Sequence, residues 1–263
     1  MTKKTILITG ATDGIGRATA QALAADGNRL ILHGRNAEKL AAVAAEIGGD
    51  VATDRADFAD LSEVAALGRR VAEAHGPVDV LINNAGVFRT GTPRTASGED
   101  VRFVVNTFAP ALLSRLLLPA LAPGARLVHL SSAAQAPVDL AGLRGEKPLE
   151  AMEAYAQSKL ALTMWSQDFA QAHPEGPVSV AVNPGSLLAT NMVREGFGMS
   201  GHDIGVGVDI LARAALSPEF ATASGKYFDN DAGRFAAPHA DAADPAKLGA
   251  VVEAIEARIA GYL

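Results

Sequence analysis

Tyr155 and Lys159 stand four residues apart in Tyr155-Ala-Gln-Ser-Lys159, inside an alanine-rich stretch that runs past Trp165 to about Ala172. On an α-helix that spacing places two side chains about 40° apart around the axis and one turn along it, so a phenol and an ammonium can converge on one small molecule. A free phenol titrates near pH ~10, and a cation at ~4 Å in an effective dielectric of ~20 is worth roughly 4 kcal/mol, or about three pKa units at most. The pair therefore offers a tyrosine able to give or take a proton near neutrality. Many surface pairs share the spacing, so its meaning depends on what the rest of the chain brings to it.

The elements that must hold such a pair begin at the N-terminus. Residues 5–9 are a short β-branched apolar run, the pattern of a strand buried on both faces. The run stops at Gly10, and Thr9-Gly10-Ala11-Thr12-Asp13-Gly14-Ile15-Gly16 leads into an alanine-rich helical segment. Glycines between a strand end and a helix start let the backbone approach a pyrophosphate, whose charge the helix N-terminal amides meet. Strand, turn and helix in that order read as a dinucleotide-binding turn. A second strand over residues 29–33 ends at Gly34-Arg35-Asn36. There an acid would bind a ribose 2′-hydroxyl and an arginine a 2′-phosphate, so Arg35 favours NADP(H) over NAD(H). Residues 50–54 read as a third strand, with Asp57-Phe58 after it where adenine would lie, and Asp60 with Glu63 has the form of a capping box. Residues 78–82 form a fourth, closed by Asn83-Asn84-Ala85-Gly86, small residues and carboxamides suited to a cofactor wall.

Ser97 and Asp100 are placed to cap a long helix reaching about Leu121. Within it Pro110 has no N–H for the carbonyl of Asn106, four residues back, which predicts a slight kink and an Asn106 carbonyl free to hold a water. A fifth strand over residues 125–130 ends in Ser131-Ser132, and residues 135–149 form an irregular excursion before the Tyr155 helix. A sixth strand over residues 178–182 leads to Pro184-Gly185 and Thr190. Residues 186–205 mix glycines with Leu187, Leu188, Met192, Phe197 and Met199, which reads as a lid lining an apolar substrate pocket. Residues 226–228 read as a seventh strand, and Pro245 opens the last helix. Strand-helix alternation from end to end implies one α/β domain over residues 1–263, a Rossmann-type, doubly wound parallel sheet of about seven strands.

Composition narrows the function further. Of 263 residues, 49% are hydrophobic and 20% charged, enough to bury a large core. A net charge of -6 speaks against nucleic acid or an anionic membrane as the main partner. The chain has no cysteine, which removes disulfides, thiolate ligands and a cysteine nucleophile. His202 and His239 have neither an acid nor a second histidine at ligand spacing, so no metal site is assigned. No apolar run of ~20 residues is read as a membrane span. The expectation is a cytoplasmic protein acting on a small molecule.

With these residues in hand, the chain resembles the short-chain dehydrogenase/reductase family over essentially its whole length. Thr9, Gly10, Gly14 and Gly16 match the family's T-G-x-x-x-G-x-G turn, Asp57 its adenine-side aspartate, and Asn83 to Gly86 its N-N-A-G segment. The resemblance implies reversible hydride transfer between a nicotinamide and the carbonyl or alcohol carbon of a small molecule. It implies that Ser132 orients and polarises the carbonyl, that Tyr155 exchanges its proton, and that Lys159 lowers the phenol pKa and bonds the nicotinamide ribose. It gives Asn106 the role of a proton relay through water, and Pro184, Gly185 and Thr190 that of nicotinamide contacts. Two departures stand out: Ser132 lies further before Tyr155 than the usual dozen residues, and Asp13 occupies a place where many NADP-preferring members carry a base. The excursion, with Gly-Lys-Tyr-Phe228, is similar to the retinol-dehydrogenase-like and carbonyl-reductase-like branches. The family forms homodimers or homotetramers, but the excursion is placed to cover the usual helix interface and leave a monomer. Two alternatives stay open at this point, a nucleotide-binding sensor or scaffold without turnover and a sugar-nucleotide epimerase.

Overall fold

The computed structural model describes residues 3–198 and 200–263. The apolar runs become β1 (Thr5–Ile8), β2 (Arg29–Gly34), β3 (Val51–Arg55), β4 (Val78–Asn83), β5 (Leu121–Leu130) and β6 (Val178–Asn183), followed by the short β7 (Tyr227–Asp229) and β8 (Arg234–Ala236). Between and after them lie α1 (Gly14–Ala25), α2 (Ala37–Ile47), α3 (Leu61–Ala74), α4 (Val101–Phe103), α5 (Ala109–Leu117), α6 (Leu140–Leu143), α7 (Ala151–Ala172), α8 (Asn191–Phe197), α9 (Gly205–Leu216) and α10 (Pro245–Ile259).

The strands form one sheet in the order β3-β2-β1-β4-β5-β6-β7-β8. Pairing is parallel from β3 to β7 and antiparallel between β7 and β8. Successive strand residues face opposite sides. Leu7, Ile31, Leu81 and Leu127 accordingly join the cluster with α3, α5, α7 and α10, while Ile6, Ile8, Leu30 and Leu32 join the one with α1, α2 and α9. The chain winds outward from β1 towards β3 and then restarts at β4, so the crevice outside the carboxyl ends of β1 and β4 is where such a sheet receives a ligand.

Several expectations change. The sheet has an eighth strand, an antiparallel edge made by a hairpin through Gly233 at φ 65, too short to show a period in the sequence. Asp60 does cap α3 by accepting from Ser62 N at 2.8 Å, but Glu63 reaches past it to accept from Asp57 N at 2.8 Å, so no reciprocal box forms. Asp100 caps α4 by accepting from Arg102 N at 2.9 Å, whereas Ser97 bonds Glu99 instead. Between α4 and α5 the helix widens into a π turn over Val104–Phe108, just before Pro110. The whole run Val101–Ala120 is apolar and long enough to cross a bilayer by composition, yet most of it is buried as the core helix beside β4 and β5. The lid segment contains a helix, α8, and is stitched at its ends where Ala189 N donates to the His202 carbonyl and His202 N to that of Leu187. Met199 and the side chain of Phe197, expected to line the lid, lie outside the described residues.

The C-terminal helix closes the molecule. α10 packs on α5 and α7, where Trp165 Nε1 donates to Glu256 Oε1 at 2.8 Å and Arg115 pairs with the same carboxylate at 3.1 Å.

Candidate active site

At the carboxyl end of β1 the glycine turn is packed against the end of β4. Gly10 has φ +67, a conformation that costs a side chain strain, and a Cβ there would meet Ala85 Cα at 2.8 Å. A Cβ on Gly16 would stand 2.3 Å from Asn84 Nδ2 and 2.4 Å from the Gly10 carbonyl oxygen. Asn84 holds this contact by donating to the Thr9 carbonyl at 2.8 Å and the Gly10 carbonyl at 3.1 Å. Thr9, expected among the cofactor contacts, is 0% exposed, and its Oγ1 instead accepts from Asn84 N and Ala85 N, both at 3.0 Å. Its side chain builds the turn. Gly14 starts α1, and the N–H groups of Ile15 and Gly16 have no helical acceptor, which leaves them for an anion. The Ile15 side chain turns away to the core under α9. Asp13 sits at the same helix end, accepting from Gly14 N at 2.7 Å and from Asn191 of the lid.

At the adenosine end Gly34 is held close to Thr12, since a Cβ there would be 2.5 Å from Thr12 Cγ2. Arg35 is exposed with no acidic partner among the described residues, and Asn36 caps α2 by accepting from Lys39 N at 2.8 Å. Asp57 turns back on its own loop, accepting from Ala59 N at 3.0 Å. The Phe58 ring is 4% exposed and stacked on His33 at 4.1 Å. His33 was missed by sequence reasoning, because a histidine within an apolar strand carries no local signal. Its Nδ1 accepts from Gly10 N at 3.3 Å, so Nε2 bears the proton and donates to the Ala56 carbonyl at 3.0 Å. One buried ring thus joins the diphosphate turn to the adenine side, and burial pulls its pKa down to about 4.

The reacting centre lies at the carboxyl ends of β4 and β5. Ser131 and Ser132 part company there: Ser131 is buried, with its Oγ 2.7 Å from Thr163 Oγ1, while the Ser132 hydroxyl lies on the Tyr155 side. Burial raises the Tyr155 pKa, and the nearby Ser132 hydroxyl opposes it only in part. From the sequence Lys159 is expected to pull the phenol down; in the structure burial is the largest influence on it. Lys159 Nζ lies 5.7 Å from the Tyr155 ring centroid and donates to the Leu130 carbonyl at 2.7 Å. Lys159 is itself only 4% exposed, and burial brings its pKa down to about 8. Gly86 leaves room for it: a Cβ there would be 3.6 Å from Nζ. The Asn106 amide is fully committed, accepting from Val87 N at 2.8 Å and donating to the Val87 carbonyl and Ser158 Oγ, both at 3.0 Å. It therefore pins the strand end beside Gly86, and its main-chain carbonyl has no α-type partner because Pro110 brings no N–H.

Pro184 and Gly185 follow β6, with Gly185 at φ +123 and its N–H on Asn183 Oδ1 at 3.2 Å. Thr190 caps α8, accepting from Val193 N at 3.2 Å, and its methyl would touch a Cβ on Gly14 at 3.4 Å, so the lid begins directly above the glycine turn. Phe88, also missed, follows the N-N-A-G segment and packs its ring 5.2 Å from that of Tyr155. The buried Arg102, paired to Asp100 at 2.6 Å, donates to the Phe88 carbonyl at 3.4 Å and fixes it. A cleft of about 660 Å³ opens beyond Phe88, lined also by Arg89, Leu149, Met152 and Gly196 of the lid helix.

The glycine cradle, the open amides of α1 and the unpaired Arg35 fit a dinucleotide, and the Ser132, Tyr155 and Lys159 side chains stand where its reactive end would lie. These define a nucleotide-dependent oxidoreductase of the Rossmann type. The family model for the short chain dehydrogenase matches residues 4–200, and the chain belongs to that family, as an NAD(P)-dependent oxidoreductase of alcohol and carbonyl groups. It is 36% identical over 261 residues to a putative daunorubicin C-13 ketoreductase of Streptomyces sp. (strain C5), covering 93% of this chain and 90% of that one. It is 33% identical over 264 residues to retinol dehydrogenase 13 of Homo sapiens, covering 90% of this chain and 80% of the relative. Among solved structures, an uncharacterised Mycobacterium paratuberculosis protein superposes with TM-score 0.79 at 28% identity, covering 98% of this chain and 93% of that one. A Burkholderia cenocepacia short chain dehydrogenase in complex with NADP gives TM-score 0.69 at 31% identity, covering 86% of this chain and 95% of that one.

Proposed function

We propose that the protein reduces a bulky apolar ketone or aldehyde with NADPH, at Ser132 and Tyr155. The observation that carries this is the placement of the Ser132 hydroxyl beside the buried Tyr155 phenol, with the buried Lys159 one turn along the same helix. Bound nicotinamide supplies the hydride. Ser132 holds the carbonyl oxygen in place and Tyr155 gives it a proton, electrostatic stabilisation and acid catalysis at one oxygen atom. The buried phenol is protonated at neutral pH and so has a proton to give the carbonyl oxygen. Lys159 places a positive charge against the ribose side, and the Asn106 carbonyl holds the water that returns the proton. The amides of Ile15 and Gly16 would hold the diphosphate, and Arg35 would hold the 2′-phosphate.

The size of the cleft supports a bulky substrate, and its Phe88, Leu149 and Met152 walls an apolar portion of it, beside the polar rim of Arg89, Thr90 and Glu150. So do relatives whose names include a ketoreductase for daunorubicin and a retinol dehydrogenase. A solved relative in complex with NADP supports that cofactor. The C-terminal helix on α5 and α7 supports a monomer.

The test is Tyr155→Phe, assayed by NADPH oxidation against a panel of aryl ketones, quinones and long-chain aldehydes. Loss of at least a hundredfold in kcat with cofactor binding intact is expected. A variant with near-full turnover would overturn the assignment, and a wild-type chain that binds NADPH but oxidises none with the whole panel would favour a sensor.

A further inference from the structure

Ser132 is held by more groups than a strand-end turn requires. Its Oγ accepts from Ala134 N at 3.1 Å, so one lone pair is occupied and the hydroxyl proton is directed elsewhere, towards the oxygen it must bond. Its carbonyl accepts twice, from Gln135 Nε2 at 3.0 Å and from Tyr227 Oη at 3.1 Å, which uses both lone pairs. Gln135 is itself held, because its Oε1 accepts from His239 N at 2.9 Å. Tyr227 is 6% exposed and lies in β7, paired with Ala181 of β6 on one side and Ala236 of β8 on the other. Strand β7, remote in sequence, and the Gln135 side chain, three residues on and held by the His239 amide, therefore meet on one peptide plane, the plane that aims the Ser132 side chain.

We propose that Tyr227 and Gln135 are positioning residues that brace the Ser132 peptide and so set the aim of its hydroxyl for carbonyl reduction. The inference rests on the reading of Ser132 given above. Neither residue touches the reacting atoms; both act through Ser132. Burial and the nearby Asp229 and Asp231 keep the Tyr227 phenol protonated at all physiological pH, so it is a permanent donor. The seventh and eighth strands, which lie outside the dinucleotide crevice, thereby gain a part in the chemistry.

The experiment is a double-mutant cycle of Tyr227→Phe with Ser132→Ala, using the panel carbonyl that the wild-type enzyme reduces fastest. Tyr227→Phe removes one oxygen from a buried ring and keeps its packing. One hydrogen bond of ordinary net strength corresponds to a roughly 3- to 10-fold fall in kcat, with NADPH affinity unchanged. In the Ser132→Ala background the same change should alter kcat by less than about 1.5-fold, because nothing is left to aim. Gln135→Leu should repeat the pattern. A Tyr227→Phe enzyme with wild-type kcat, or an equal loss in both backgrounds, would overturn the brace. Near-full activity of Ser132→Ala alone would instead overturn the role of Ser132, and the brace with it.

Discussion

Lowering the pH from 6.5 to about 5 should destabilise the fold, and two buried histidines set the size of the effect. His33 accepts from Gly10 N and stacks on Phe58, and burial lowers its pKa from 6.5 to about 4, although Asp54 and Asp57 pull the other way. His129, also buried, has Nδ1 3.1 Å from Asn83 Nδ2 and Nε2 3.2 Å from Ser179 Oγ, and burial lowers its pKa to about 3. In that range the unfolded chain protonates both rings and the folded chain neither, so the unfolded state binds more protons and stability rises with pH. The stability these rings confer as neutral groups is complete above about 6.5 and is lost as the pH falls towards 4 and 3. From pH 6.5 to 5 each ring contributes about 1–2 kcal/mol, together about 3 kcal/mol, or roughly 6–12 °C in Tm for a chain of this size. His75, pushed down by burial and Arg29, adds in the same direction. The assay is thermal unfolding followed by circular dichroism at half-unit pH steps, kept above the range where Asp and Glu titrate. His33→Gln should remove about half of the slope, whatever it does to absolute stability. A midpoint that stays level across the range, or an unchanged slope in His33→Gln, would refute the reasoning.

Three other outcomes are expected. Gly16→Ala forces a methyl against the Gly10 carbonyl and Asn84 at 2.4 and 2.3 Å, so it should cost about 1–3 kcal/mol in thermal stability and abolish NADPH binding measured by fluorescence. Arg35→Ala removes the unpaired guanidinium at the end of β2, so the Kd ratio should move about tenfold or more from NADP(H) towards NAD(H), the worth of one charged hydrogen bond. Light scattering after gel filtration should give the mass of one 27.0 kDa chain, because α10 already covers the α5 and α7 face; a doubled mass refutes this.

Much of the fold is carried by local patterns. The β-branched runs of β1, β2, β4 and β6, the caps Asn36, Asp60 and Asp244, and the Gly10 to Gly16 turn each act over a few residues, through backbone sterics and helix N-termini. The Tyr155 and Lys159 spacing is a helical repeat, so the pair too is legible from the order of residues. Even the NADP reading of Arg35 needs only its place at a strand end.

What tertiary structure decided depends on contacts between distant parts. Ser131 and Ser132 are equivalent as letters, and the alternation at the end of β5 turns one to Thr163 and the other to Tyr155. Thr9 and Phe58 look like ligand contacts in a motif, but the approach of β4 and the stacking of His33 take them inside. Lys159 has the spacing to approach Tyr155, and only the packed structure shows that its ammonium is held by the Leu130 carbonyl and that burial raises the phenol pKa and lowers the ammonium's. Tyr227 stands 95 residues from the serine it contacts, a separation no periodicity records. The amino-acid order alone determines which chemical groups the chain can present and the turns that present them. Their direction, burial and proton affinity follow from desolvation and packing, which exist only once the strands have met.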